Sequence, residues 1–199
     1  MNALPPPMAL ALCANFGSLD AWRQDFLALA GRGPAQLTFR GATGTLLNRG
    51  DATATDGDVL LVLDCPSAAD AEAAVAGIDW PAVYARYQHA VHAVSEDLGT
   101  TREAVSAALL LDVRRAGAFE QSGVVIPGAR WCDPARVADW SADLPRSREI
   151  VVYCVYGHEV GRATALRLRA LGLNARYLRG GIDAWQAAGL PLARKEETS

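Results

Sequence analysis

The sequence predicts an α/β protein in two parts: a C-terminal parallel sheet flanked by helices, and a smaller N-terminal α+β part with a three-stranded antiparallel sheet plus helices. Three observations predict it. Residues 149–162 read as a buried strand, a tight loop opened by a cysteine, and then a helix. On either side of that stretch, between residues 109 and 188, short apolar runs alternate with helical ones, the pattern of a parallel sheet. In the first half, strand candidates at 36–40, 44–48 and 59–63 lie between helical stretches, with a Gly41–Gly44 turn that suggests a hairpin.

The 149–162 stretch organises the second half. Ile150 to Tyr153 is apolar and β-branched, as in a strand buried on both faces. The helix after it ends at Gly172 as C′, with Leu173 as its apolar partner. Gly161, Thr164, Ala165, Leu168 and Leu171 share one helical face, with Arg162 and Arg169 on one flank and Arg167 on the other. Cys154 is therefore expected at the carboxyl end of a strand, facing a helix N-terminus, where open sheets place their chemistry. Backbone N–H groups curling into that helix form an anion nest that lowers a cysteine pKa from about 8.5 toward neutrality. A buried, inert core cysteine is the competing reading.

Several ordered motifs extend the pattern. They are Leu109-Leu110-Leu111-Asp112-Val113-Arg114, then Val125-Ile126-Pro127-Gly128-Ala129, the Cys154 loop, and Leu178-Arg179-Gly180-Gly181 with Trp185, Gly189 and Pro191. Together they resemble the rhodanese-like sulfurtransferase family over residues 100–195. The resemblance implies that Cys154 is the nucleophile, carrying sulfur as a persulfide between a small-molecule or protein donor and a thiol acceptor, with no cofactor. It implies a donor-binding loop of Val155, Tyr156, Gly157, His158, Glu159 and Val160, joined by Arg162, and a structural Asp112 near the site. Where the family often has basic residues in this loop, this chain has Val155 and Glu159. Glu159 is expected to repel a dianion such as thiosulfate and to raise the pKa of Cys154. Arg162 would replace part of the lost charge, and a thiol-bound persulfide is the better donor. The fold's phosphatase relatives need a longer loop ending in arginine; here Val160 occupies the matching position.

The first half reads in order as a short helix at 8–15 with Pro7 in its first turn, a helix Leu19–Ala30 capped by Ser18, the three strands, a helix at 67–76, and a last helix bearing Trp80, Val83, Tyr84, Tyr87 and Val91. Asn15-Phe16-Gly17-Ser18-Leu19-Asp20-Ala21-Trp22, Leu60-Leu61-Val62-Leu63-Asp64 and Ile78-Asp79-Trp80-Pro81-Ala82-Val83-Tyr84-Ala85-Arg86-Tyr87 are similar to the C-terminal α/β domain of iron/manganese superoxide dismutases. That resemblance, over residues 5–94, implies a non-catalytic remnant: Asp64 stands where a metal ligand would, but Ala68 replaces the expected histidine. No bound metal is expected, and a homodimer is an option by the same resemblance. His89 and His92 share a helix face without a third ligand and read as solvated; Cys65 reads as core.

Between the halves, residues 95–99 read as a polar linker, and Thr100 with Glu103 as a capping box opening a helix at 101–107. Cys132 is a candidate resolving thiol for Cys154, and the tail 194–199 is expected to be loose. A net charge of −3 gives no reason to expect nucleic acid or an anionic membrane as partner. The four cysteines form no C-x-x-C pair, which points away from zinc and disulfides and toward a reducing cytoplasm. Two functions stay open: a sulfurtransferase, or a non-enzymatic sulfur-carrier or redox-sensing interaction module using Cys154.

Overall fold

A computed structural model describes residues 3–50 and 56–195. The chain divides into two compact units, Met1–Val94 and Ser95–Ser199. The fold class is the one expected: a five-stranded parallel sheet flanked by helices in one unit, and a three-stranded antiparallel sheet with helices in the other.

In the first unit, α1 (Pro6–Phe16) begins with proline in its first turn, where a missing N–H costs nothing. α2 (Leu19–Ala30) is capped by the Ser18 hydroxyl, which accepts from the Ala21 N–H at 3.0 Å. β1 (Ala35–Arg40) is the central strand, paired antiparallel with β2 (Thr45–Arg49) through the expected hairpin and with β3 (Asp58–Leu63) on its other side. α3 (Ala68–Ala76) and α4 (Trp80–Ser95) complete the unit. Its core includes Phe26, Leu37, Phe39, Leu60 and Val91, with Trp22 packed edge-on against Trp80 and Phe39 against Tyr87. Arg86 donates to the Leu60 carbonyl at 2.8 Å, tying α4 to β3. Cys65 is half-buried rather than core, because β3 ends before it.

The second unit begins where a linker was expected. Residues 96–98 form a 3-10 turn, and Gly99–Thr100 are β4, the edge strand of the parallel sheet. The segment is ordered because its polar groups are partnered: Ser95 is fully buried, and Glu96 pairs with two arginines of the same unit. Thr100 is consequently a strand residue, not a cap; a 3-10 helix runs over Arg102–Ala107 after Thr101, which makes no side-chain cap bond. Then come β5 (Leu109–Asp112), α5 (Ala116–Gln121), β6 (Val124–Val125), β7 (Arg130–Trp131), α6 (Val137–Ser141), β8 (Ile150–Tyr153), α7 (Glu159–Ala170), β9 (Ala175–Leu178), α8 (Gly181–Ala187) and β10 (Ala193–Arg194). The sheet order is β4-β9-β8-β5-β7, all parallel, with β8 central.

Strand alternation explains why β8 is apolar throughout. Ile150 and Val152 enter a core with Leu111, Leu168 and Tyr177, whereas Val151 and Tyr153 enter another with Leu110, Ile126, Leu178 and Ile182. Trp185 packs at the margin of the second. α7 closes as expected: the Leu173 N–H donates to the Leu168 carbonyl at 3.0 Å across a left-handed Gly172. Leu171, read on the same helical face as Leu168, is 46% exposed whereas Leu168 is fully buried, because the helix ends at Ala170 and the chain turns there. The tail is also tied down as far as it is described. β10 pairs antiparallel with β6, and the Lys195 N–H donates to Gly123 O at 3.0 Å. Residues 196–199 lie outside the described residues.

Candidate active site

β8 delivers Cys154 to the carboxyl edge of the sheet, and α7 starts at Glu159. Between them the loop folds back so that the backbone N–H groups of Gly161, Gly157 and His158 are turned to the Cys154 sulfur. These donors favour a thiolate. Even so, the thiol pKa is pushed up, first because the sulfur is buried, with the three N–H groups lowering it and the Glu159 carboxylate raising it. The expected net lowering is thus corrected: loss of water around the sulfur outweighs the nest, while the repulsion from Glu159 acts in the direction foreseen. Glu159 itself is only 4% exposed.

A pH prediction follows from this balance. The reactive species is the thiolate, so alkylation of Cys154 should rise as pH climbs and reach its midpoint above that of an ordinary cysteine. Glu159→Gln removes a negative charge that disfavours the thiolate, so the midpoint should move to lower pH. A midpoint unmoved by that substitution, read by mass spectrometry of the Cys154 peptide, would contradict the electrostatic assignment.

A second turn clasps the loop. The N–H groups of Ile182 and Asp183 donate to the carbonyls of Cys154 and Val155 at 3.1 and 3.0 Å. Gly181 has φ +59°, and a Cβ there would overlap both carbonyl oxygens. Gly157 has φ +70°, and its Cβ would stand 2.6 Å from Gly180 N and 2.7 Å from Leu178 O. Gly181 of the Leu178-Arg179-Gly180-Gly181 motif is therefore a close-approach position against the cysteine loop, whereas a Cβ on Gly180 would meet Ala184 of its own helix.

The other expected site residues take different places. Val155 and Val160 are half-buried, whereas Tyr156 and His158 are exposed, with ring centroids 5.6 Å apart at the loop rim. Arg162, expected to add positive charge for a donor, is committed inside the unit. Its Nε donates to Gly157 O at 3.2 Å, its Nη1 to Ser95 Oγ at 3.2 Å and Glu96 Oε2 at 3.1 Å, and the guanidinium lies 4.4 Å from the Tyr177 ring centroid. Sequence reasoning missed Ser95 and Glu96 altogether. Cys132 sits in the core with Leu111 and Val152, its thiol pushed up chiefly by burial, the setting of a core residue rather than a resolving thiol.

Asp112 is fully buried at the end of β5. It accepts from Arg114 Nε at 2.9 Å and from the Tyr153 hydroxyl at 2.9 Å, and Arg114 Nη2 reaches on to Val124 O at 3.0 Å. The carboxylate thus joins β5 to β8 just below the cysteine loop. Asp112→Ala would leave Arg114 buried without its counter-charge, at an expected loss of about 3–5 kcal/mol of stability. Urea unfolding monitored by tryptophan fluorescence measures it; a loss below about 1 kcal/mol would refute the structural role.

At the same sheet edge, a cavity of about 260 Å³ is lined by Thr101, Leu178, Arg179, Gly181 and Trp185 among others. Among the described residues, no cluster of three or more His, Cys, Asp or Glu is placed to hold a metal, and no helix is long and apolar enough to cross a membrane.

Comparison with known proteins bears on this unit. Residues 91–188 match the family model for the rhodanese-like domain. A sulfurtransferase of Allochromatium vinosum is 29% identical over 102 residues, covering 51% of this chain and 94% of that protein. An HTH-type transcriptional regulator of Mycobacterium tuberculosis is 34% identical over 110 residues, or 50% of this chain; the match spans about half (49%) of that relative's length. Among solved structures, a rhodanese-related protein from Thermoplasma volcanium is 26% identical with a TM-score of 0.44, covering 49% of this chain and 98% of that one. The strand–loop–helix around Cys154 lies within residues 91–188, the stretch that matches the rhodanese-like domain model.

Proposed function

We propose that the C-terminal unit is a sulfurtransferase that moves a sulfane sulfur from a donor to a thiol or other nucleophile through a persulfide on Cys154. The observation that supports this best is the sulfur itself, placed at the carboxyl end of the central strand with three backbone N–H groups turned to it. In the first step the Cys154 thiolate attacks the outer sulfur of a donor persulfide. A Cys154 S–S bond forms, the donor's own S–S bond breaks, and the donor leaves as a thiolate. In the second step an acceptor nucleophile attacks that outer sulfur, and the Cys154 thiolate is released. No electrons are gained or lost overall. Asp112 supports the site without touching the sulfur, and the N-terminal unit, a dismutase-like remnant in this reading, takes no part in the transfer.

The donor follows from charge. Val155 and Glu159 supply no cation to the loop, and Arg162 is engaged with Glu96. A dianion therefore meets the Glu159 carboxylate without a loop cation to offset it, while a thiol-bound persulfide needs only the amides. Initial rates of sulfur transfer to cyanide should favour glutathione persulfide over thiosulfate by about tenfold or more, since one unit of unfavourable charge in a partly desolvated site is worth ~1.4 kcal/mol or more. Equal rates would refute the charge argument, and no transfer from either donor would refute the function.

The second reading is a non-enzymatic sulfur carrier or redox sensor. Two observations favour it: the upward push on the Cys154 thiol, and a matched relative named as a transcriptional regulator rather than an enzyme. Stable sulfur loading without release to small nucleophiles would select it.

A further inference from the structure

Glu96 and Arg162 form a chain of contacts that ends on the peptide bond beside the sulfur. Arg162 Nε donates to the Gly157 carbonyl at 3.2 Å, and Arg162 Nη1 is held by Ser95 Oγ at 3.2 Å and Glu96 Oε2 at 3.1 Å. The other Glu96 oxygen accepts from Arg179 Nη1, and Arg179 Nη2 donates to the Glu96 backbone carbonyl at 2.8 Å. Arg179 belongs to the turn that clasps the cysteine loop, and its backbone N–H donates to Thr100 O at 3.0 Å. One carboxylate therefore joins the loop's arginine to the clasp's arginine.

The geometry of a peptide bond gives this chain its consequence. The Gly157–His158 peptide is trans, so its C=O and N–H point in opposite directions. Its N–H half is one of the three donors turned to Cys154, and its C=O half is the group that Arg162 holds. Fixing the carbonyl fixes the direction of the His158 N–H. The face of the Arg162 guanidinium rests on Tyr177, which limits its swing. The bonds from Arg179 and Arg162 also hold the Glu96 carboxyl below the usual carboxylate range, so it stays ionised through neutral pH.

We propose that Glu96 and Arg162 are positioning residues for the sulfur transfer: Glu96 seats the Arg162 fork, and the fork holds the Gly157 carbonyl so that the His158 N–H faces the Cys154 sulfur. This rests on the sulfurtransferase reading of Cys154 and replaces the donor-binding role expected for Arg162. Lysine cannot take over, because a single ammonium cannot reach Gly157 O and Glu96 together in the planar geometry a guanidinium provides.

The test is the pH profile of Cys154 alkylation by iodoacetamide, read on the Cys154 peptide, in full-length wild type, Arg162→Lys, Glu96→Ala and Glu96→Gln. Arg162→Lys and Glu96→Ala should move the midpoint to higher pH and slow alkylation at pH 7 by about tenfold, the effect of losing one well-aimed donor to an anion. Glu96→Gln keeps an oxygen acceptor and should recover most of the rate. Glu96 is exposed, so Glu96→Ala carries the test even where Arg162→Lys does not fold. Unchanged midpoints in folded Arg162→Lys and Glu96→Ala would overturn the proposal. So would a lowered melting temperature with an unmoved midpoint, which would make the chain of contacts purely structural. Alkylation needs no sulfur donor, so a shifted midpoint in a chain that accepts no sulfur would overturn the transfer reading alone.

Discussion

Cys154→Ser should lower sulfur transfer from glutathione persulfide to cyanide by ~10³-fold or more, with the melting temperature close to that of the wild type. The two side chains have nearly the same size, and the buried site accepts either. The three backbone N–H groups turned to the sulfur can equally donate to a hydroxyl oxygen. Chemistry separates them: a serine hydroxyl keeps its proton near neutral pH and forms no bond to sulfur that an acceptor can reopen. Transfer that survives in the variant would place the sulfur on another residue, with Cys13 and Cys65 the less buried thiols, and would remove the basis for assigning the loop. Transfer that disappears leaves no residual activity for the N-terminal unit to account for.

Gly157→Ala should have the second-largest effect, on stability and chemistry together. A non-glycine residue at φ +70° is strained, and the added methyl would meet two backbone atoms, Gly180 N and Leu178 O, neither of which can swing aside. The expected cost is about 2–4 kcal/mol, from strain plus overpacking. Because relief requires the loop to move, the Gly157 and His158 N–H groups lose their aim at the sulfur. Transfer should fall by ~10²-fold even below the new melting point, as when one preorganised donor is removed. Gly117→Ala is the control, since a Cβ at that helical position meets nothing within 4 Å and its φ is ordinary. A Gly157→Ala chain with wild-type stability and transfer would show that the clasp does not shape the site.

Much of this architecture was legible because its causes are local. A four-residue apolar run, a cysteine and a helix closed by Gly172-Leu173 sufficed to place Cys154 at the carboxyl edge of a strand. Ser18 marked a helix start, and the Gly41–Gly44 turn marked the hairpin, through chemistry contained in a few adjacent residues. The rest depends on residues far apart in the chain. Ser95–Gly99 looks like a linker because its charge and small side chains are polar in isolation; Glu96 is ordered by Arg162, 66 positions away, and by Arg179, 83 positions away. The shift at Cys154 was misjudged for the same reason. The loop amides are visible in the sequence as a strand-to-helix turn, but the burial that outweighs them comes from the fold around the loop. Arg162 read as a free charge on a helix flank, and only its contacts with Gly157, Ser95 and Glu96 show that it is occupied.

The central claim is that Cys154 takes up a sulfane sulfur, and the intact mass of the full-length protein tests it most directly. After incubation with glutathione persulfide and removal of excess donor, the protein should carry one added sulfur, located on the Cys154 peptide and lost on treatment with cyanide. Thiosulfate under the same conditions should load a smaller fraction, because Glu159 opposes a dianion. A mass unchanged by both donors, in protein whose Cys154 still alkylates, would contradict the account.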